Sequence, residues 1–524
     1  MATLKPAGIP GEKESLSAST RGGISTWPII VVMILLAGLY LSLALLSERL
    51  SYGSERDGYL VGISAQRLTH HQSWEPSRTP GFPVFEYLVS WVFTSTDARR
   101  AKAVVALFSL AVIALFMILG LRANKDRKVI LLVAVLFSLV PLWLQSSFLV
   151  LDYSVSLFCA VAVGVLLEAA SFAKLRSVFL YSLAAGVMLA FGIGSRITTA
   201  LLLPAVMTAV ILDKNTKTLS KTLCISVIAL SATVGAVVFY KPAYDLFGIG
   251  FLNTTHVPIP FVANMKMVMY QLLHLGGGVA GSLVLLVLIV IATRNIKSRW
   301  LDRLWTERGV GIRSLLLFAV FNTMCYLRNP EKATYFLPLL VGIMLILVIS
   351  LQWRDRFILA VAVVVMVVGS IIQIFPAGIA KLEIIHGQVL DEWRHQQMDR
   401  PLFAAFQSLI TDSHRQTLLI GYPATDHMVV WFYDSTRVVE TLPHPFGRTL
   451  WGTPTFYPDN VYEIRGMLLA DPPLLLSGFT RAKLDILLAQ RGIDTVNLVR
   501  SWIREPVEIP AAWRRGKTCL EVFY

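Results

Sequence analysis

Long apolar runs separated by short polar turns set the pattern of this chain. After about 27 polar residues, the run from Pro28 to Ser47 is long enough for one membrane crossing. Further apolar runs occupy 103–121, 129–149, 153–167, 178–194, 197–212, 222–240, 279–293, 314–327, 333–351 and 357–375. The pattern predicts an α-helical polytopic membrane protein with about eleven transmembrane helices. The first run is long for a signal-peptide core and no clear small-x-small cleavage site follows it, so it is expected to stay as a helix.

Two polar regions are too large to be mere connections. In 48–102, Leu60, Ile63, Arg67 and Leu68 suggest one amphipathic helix. Phe85, Leu88, Val89, Val92 and Phe93 form a second helical stripe, with Tyr87 and Trp91 as residues suited to a headgroup boundary. The breaker Pro80-Gly81-Phe82-Pro83 separates the two, and helices of this kind lie on a membrane surface. The second region, 376–524, has strand-like runs at Thr417–Gly421, Arg437–Thr441, Thr495–Val499 and Cys519–Phe523, and a helix-like run at Arg481–Arg491. It reads as a small C-terminal α/β domain.

Composition agrees with the pattern. Of 524 residues, 55% are hydrophobic and 15% charged, which excludes an ordinary soluble globule and a disordered chain. The net charge of +14 would raise nucleic-acid binding in a soluble protein, but its placement has another explanation. With the N-terminus inside, the inside loops carry Arg122 to Lys128, Lys174 and Arg176, Lys214 to Lys221, Arg294 to Arg313, and Arg354 with Arg356. The outside segment 48–100 is mixed in sign. This is the positive-inside bias, and it leaves no need for a nucleic-acid partner. The four cysteines, Cys159, Cys224, Cys325 and Cys519, are far apart and form no CxxC or His/Cys cluster, so neither a disulfide framework nor a structural zinc site is expected.

Ionisable groups at the outer ends of membrane helices carry the candidate chemistry, because placing them near hydrocarbon costs free energy. Glu55-Arg56-Asp57 offers two carboxylates two residues apart, fit for a general base with an orienting group or for a hard cation such as Mg²⁺ or Ca²⁺. The plain alternative is a solvated loop start. Asp152, in a short turn before Tyr153, either faces the same pocket as Asp57 or caps the next helix. Arg196, in Gly192-Ile193-Gly194-Ser195-Arg196, either binds a phosphate or snorkels to headgroups. The segment Arg328-Asn329-Pro330-Glu331-Lys332-Ala333-Thr334-Tyr335 either holds a phosphate or sugar hydroxyl or anchors the interface. His70 and His71 are adjacent and do not easily face one metal from a helix. Asn253-Thr254-Thr255 is a glycosylation sequon, which matters only in a eukaryotic secretory route. Under one charge-derived topology, the four leading sites fall on one face, beside both polar regions.

These residues resemble a known family. Glu55-Arg56-Asp57 after the first helix resembles the acidic motif of the GT-C glycosyltransferases, polytopic enzymes that use polyprenyl-phosphate-linked sugars. The stretch from Asp57-Gly58-Tyr59 through Arg78-Thr79-Pro80-Gly81-Phe82-Pro83 looks like the first outer loop of the branch holding protein O-mannosyltransferases and lipid A aminoarabinose transferases. Leu151-Asp152-Tyr153 and Gly194-Ser195-Arg196 resemble that branch's second acidic turn and Arg-bearing turn. Glu331 to Tyr335, followed by Pro338, resembles its late segment, with Lys332 and Thr334 where an Arg before the Tyr is frequent. The likeness covers about the first 350 residues, and 376–524 matches no named domain.

The resemblance implies an inverting membrane glycosyltransferase that moves a sugar from a polyprenyl-phosphate donor to an envelope lipid, glycan or protein on the outer face. Asp57 would be the base, with Glu55 second and Asp152 orienting substrate. Arg78, Arg196, Arg328, Glu331, Lys332 and Tyr335 would bind the donor and its phosphate, and Glu55 with Asp57 could hold a divalent cation. The implied organisation is a cytoplasmic tail (1–27), a transmembrane catalytic unit (28–375) and a periplasmic or lumenal domain (376–524), most simply in a bacterial inner membrane. The competing readings are a lipid transporter or flippase, expected to show mid-helix charges and two related halves, and a non-catalytic assembly subunit, which would tolerate loss of the carboxylates.

Overall fold

The computed structural model describes residues 27–397, apart from residues 50, 54–55, 72–73, 75, 78–80, 95–96, 125, 172–173, 214–215, 248–260, 296–308, 328–329, 331 and 379–380, together with the backbone of five strands beyond 397. Each of the eleven apolar runs is helical in whole or in large part. They form α1 (Trp27–Leu46), α4 (Arg99–Ala123), α5 (Arg127–Leu139) with α6 (Pro141–Ser146), α7 (Tyr153–Ala170), α8 (Leu175–Ser195) and α9 (Leu202–Ile211). The rest are α10 (Thr218–Phe247), α12 (Val279–Asn295), α13 (Val310–Leu327), α14 (Leu337–Ser350) and α15 (Arg356–Ile371).

The runs are not uniform in helix length. Among the described residues, seven helices are long and apolar enough to span alone, or up to eight if one bent pair counts as a span. The shortfall has local causes. Pro141 cannot continue α5, so that run breaks into two short helices. The run after Arg196 begins as a 3₁₀ turn, Ile197–Leu201, before α9. The last run ends as a helix at Ile371 and continues as strand β1 (Ile372–Gly378). The bent pair adds a helix that periodicity missed: α11 (Phe261–Gly276) meets α12 at 84°. Asn264, Lys266, Gln271 and His274 interrupt its apolar face and hide it from a hydropathy reading.

At the centre, α7 packs on both α4 and α8, and α8 also packs along α10. The outward faces of α10 and α15 present exposed Leu and Val side chains, as lipid-facing helices do. At one end of the bundle a buried pair, Arg313 Nη2 to Asp213 Oδ1 at 2.7 Å, ties α13 to the chain just after α9.

The amphipathic pair of the first polar loop is present as α2 (Arg56–His71) and α3 (Pro83–Val92). Tyr59, Val61, Ala65 and Leu68 of α2 face inward, as do Phe85 and Val89 of α3, while Trp91 is 81% exposed. A buried carboxylate joins these helices. Glu86 accepts from Ser64 Oγ (3.2 Å), Trp74 Nε1 (2.5 Å), Ser77 N (3.0 Å), Ser77 Oγ and Phe82 N (3.3 Å). The sequence marks Glu86 only as one charge in a mixed loop. It is the node that ties together α2, Trp74, Ser77 and the start of α3.

Beyond α15, β1 pairs antiparallel with β2 (Lys381–His386), and residues 388–397 form a helix, α16. The strands β3 (Gln416–Ile420), β4 (Val438–Thr441), β5 (Ile493–Arg500), β6 (Ile503–Val507) and β7 (Thr518–Phe523) form a mixed sheet in the order β4-β3-β7-β5-β6. All four predicted strands are present, and β6 pairs antiparallel with β5. The helix expected at 481–491 lies outside the described residues, as do the tail 1–26 and the sequon at 253–255.

Candidate active site

Backbone packing places the site. Val150 N donates to Tyr52 O at 3.3 Å, so the turn before α7 lies against the chain leaving α1. Gly58 sits in this seam. A Cβ there would come within 2.8 Å of Tyr52 O and 3.4 Å of Val150 O, so the residue after Asp57 must be small. This holds the Asp57 turn beside the Asp152 turn.

Asp57, in the first turn of α2, pairs with Lys332, with Nζ to Oδ2 at 2.7 Å and both side chains partly exposed. Lys332 precedes the 3₁₀ turn Ala333–Phe336, whose Tyr335 leads to the second charge pair. Arg196 Nη1 donates to Asp152 Oδ2 at 2.9 Å, and Nη2 donates to Tyr326 Oη at 3.1 Å. The guanidinium also lies over the rings of Tyr153 (4.2 Å) and Tyr335 (5.0 Å), and Tyr326 stacks on Tyr335 at 4.3 Å. Asp152 and Arg196 are almost fully buried.

The sequence leaves Asp152 open between a helix cap and a pocket group. It stands at the N-cap of α7, but its side chain makes no capping bond and goes to Arg196 instead. Arg196 likewise does not snorkel outward. Its charge is met by Asp152 and its planar faces by tyrosines, an arrangement that suits guanidinium and not ammonium. A cavity of about 10 Å³, room for about one water, lies among Arg196, Asn322, Tyr326, Thr334 and Tyr335. Asn322 Oδ1 and Thr334 Oγ1 are buried there without a hydrogen-bond partner among the described residues.

Three of the four sites thus meet the fourth through one short segment: 332–335 touches Asp57 by its lysine and Arg196 by its tyrosine. Glu55, Arg78, Arg328 and Glu331 lie outside the described residues. The side chains of His70 and His71 do so as well, although their backbone belongs to α2. Tyr326 and Asn322 are absent from a reading of charge alone. Tyr326 sits two residues before Arg328 at a helix end, and an aromatic at that position was its only signal. Among the described residues, no group of three or more His, Cys, Asp or Glu side chains is placed to hold a metal ion. Of the proposed metal pair only Asp57 is described, and its neighbouring cation is an ammonium.

The fold has a known counterpart. The chain shares its fold with ArnT from Cupriavidus metallidurans. The likeness to the apo crystal structure has a TM-score of 0.61 at 11% identity, covering 94% of this chain and 99% of that one. The crystal structure of the same protein bound to undecaprenyl phosphate matches equally, with 100% of it covered. An oligosaccharyltransferase from Archaeoglobus fulgidus is similar at a TM-score of 0.46 and 12% identity, over 78% of this chain and 63% of that one. No protein-family model matches the chain, and no curated protein matches it. The expected architecture, a bundle of long apolar helices with two amphipathic helices in its first polar loop, is the observed one, and its fold is the one shared with ArnT.

Proposed function

We propose that this chain is a membrane glycosyltransferase that takes a sugar from a polyprenyl phosphate and gives it to a lipid, glycan or protein hydroxyl. The observation that carries the reading is the Asp57–Lys332 pair on the rim of the bundle, in a fold like that of an ArnT captured with undecaprenyl phosphate. A carboxylate and a movable ammonium side by side are what an acceptor hydroxyl and a departing phosphate require.

The acceptor oxygen attacks the anomeric carbon while the bond from that carbon to the phosphate oxygen breaks, with inversion. The electron pair leaves on the phosphate, and the hydroxyl proton goes to Asp57. A phosphomonoester leaving group needs little protonation but needs positive charge where its own charge develops. Lys332 has a long, flexible stem and is partly exposed, so its ammonium can turn from Asp57 to the donor phosphate. That move strengthens Asp57 as a base at the moment of need, because a carboxylate that loses its cation holds a proton more tightly. Arg196, already neutralised by Asp152, supports this rim from below through Tyr335. Glu55, Arg78, Arg328 and Glu331 remain candidates for the donor side, and Glu55 with Asp57 for a Mg²⁺ or Ca²⁺ ion.

The orientation proposed from loop charge is N-terminus cytoplasmic and C-terminal region periplasmic, in a bacterial inner membrane. The test is transfer by purified protein in liposomes. It would use a panel of radiolabelled polyprenyl-phosphate sugars, an envelope extract as acceptor, and Asp57→Asn in parallel. Label moving to an acceptor with wild type only supports the reading. Label crossing the bilayer without transfer would replace it with transport.

A further inference from the structure

The β1–β2 hairpin has its apolar side turned away from the protein. Antiparallel pairing puts Ile372, Ile374 and Pro376 on one face with His386, Ile384 and Leu382. On that face Ile372, Leu382 and Ile384 are 51%, 64% and 74% exposed. On the opposite face the β1 residues pack against the bundle, while Glu383 and Ile385 of β2 are exposed. Gln373 and Phe375 are buried, Phe375 lies 4.4 Å from the His274 ring, and Gln373 Nε2 donates to Gly369 O at 2.9 Å. Gly278, with φ of +93°, admits this close approach, since a Cβ there would lie 2.9 Å from Ile374 O. A hairpin in water would carry the reverse pattern, apolar in and polar out.

What covers the outward face follows from continuity. Helix α15 runs directly into β1. Its exposed positions Phe357, Val361, Val364, Val368 and Ile371 follow one helical stripe. In a spanning helix that stripe faces lipid. Ile372 and Ile374 extend it without a break, and Ile384 lies beside Ile374.

We propose that the β1–β2 hairpin is a membrane-inserted element whose Ile372, Ile374, Leu382 and Ile384 face lies in leaflet hydrocarbon at the site end of the bundle. The polypeptide therefore leaves the bilayer after His386, not at 376, and the following helix α16 starts at the membrane surface. This goes beyond glycosyl transfer and stands independently of it.

The test uses the full-length protein with its four native cysteines replaced and single nitroxide labels at Ile384→Cys or Leu382→Cys. The protein is reconstituted into phosphatidylethanolamine/phosphatidylglycerol vesicles. Labels at Val364→Cys, on the lipid-facing stripe, and Arg354→Cys, at an exposed helix turn, give the two reference environments. The expected result is a collision rate with oxygen several-fold above that with a water-soluble nickel chelate at both hairpin positions, as at 364 and opposite to 354. Preferential collision with the chelate would overturn the proposal. So would labels shielded from both reagents, which would mean protein cover, with dipolar broadening identifying a second copy as that cover.

Discussion

Lys332 Nζ donates to Asp57 Oδ2 at 2.7 Å, a contact between residues 275 positions apart in the chain. Because one member is assigned to the acceptor proton and the other to the donor phosphate, the two should fail differently. Asp57→Asn should lower kcat by about 10²- to 10⁴-fold, the usual worth of a positioned general base, with the donor KM little changed. Lys332→Met should raise the donor KM as well as lower kcat. Steady-state kinetics with one labelled donor separates the two patterns. Identical effects on donor KM alone would remove Asp57 as base.

Asp152 and Arg196 form the buried layer beneath that rim, so they should act through stability. Breaking a buried pair by removing one partner leaves an uncompensated charge and typically costs about 3–5 kcal/mol. Asp152→Ala should therefore lower the melting temperature in detergent markedly. The double variant Asp152→Asn/Arg196→Gln should lose less than the sum of the two single changes. Arg196→Lys should also be damaging, since a lysine cannot lie flat between Tyr153 and Tyr335 while donating to both Asp152 and Tyr326. A thermal double-mutant cycle measures the coupling, and strict additivity would show that the pair is not a unit.

The legible and illegible parts of this protein divide along physical lines. Helices were readable because lipid demands long apolar runs, and so were Asp57, Asp152, Arg196 and Lys332, because charges at helix ends stand out against them. Their partnership was not readable. Nothing local ties Lys332 to Asp57, and only the packing of the 332–335 turn against the Asp57 and Asp152 turns brings the charges together. Glu86 was hidden for the opposite reason: among six carboxylates in a polar loop, sequence does not say which one is buried. α11 was hidden because its polar positions serve tertiary contacts, His274 with the segment after α15 and Asn264 with Leu327 O, which a hydropathy window cannot anticipate.

Glu86 should be required for the shape of the first loop. Glu86→Ala leaves buried donors from Ser64, Trp74, Ser77 and Phe82 without their acceptor, at about 1–3 kcal/mol for each one left unsatisfied. Limited proteolysis between α2 and α3 should speed up in that variant. Burial is the largest influence on the carboxyl and raises its pKa above the ordinary 4.5, with donors from Ser77, Trp74 and Phe82 pulling the other way. A carboxyl raised in the fold contributes stability that is complete below its unfolded pKa and is lost as pH rises through the folded value. Thermal stability of the wild type should carry that downward slope, and Glu86→Gln should remove it. An unchanged slope would mean that Glu86 does not titrate in this window.

Lys102 should decide whether α16 stays docked. Its buried ammonium has three donors and finds three acceptors: Ser47 Oγ at 2.9 Å, Glu48 O at 3.0 Å and Gln396 Oε1 at 2.8 Å. Gln396 in turn donates to Glu392 Oε1 at 2.7 Å, and Gln145 Nε2 donates to Glu392 Oε2 at 3.4 Å. One lysine thus links the end of α1, the start of α4 and a helix almost 300 residues later. Lys102→Met removes the ammonium while keeping most of the side-chain length, and takes from Gln396 Oε1 its donor, whereas Glu48 O keeps Ser51 N at 3.3 Å. The expected outcome is faster hydrogen exchange across 388–397, with the exchange of α4 and α7 unchanged. Gln396→Leu should have the same effect from the other side, although it leaves the lysine with two of its acceptors. Exchange rates in 388–397 unchanged in both variants would show that the hairpin and the His274 contacts hold this helix without the lysine.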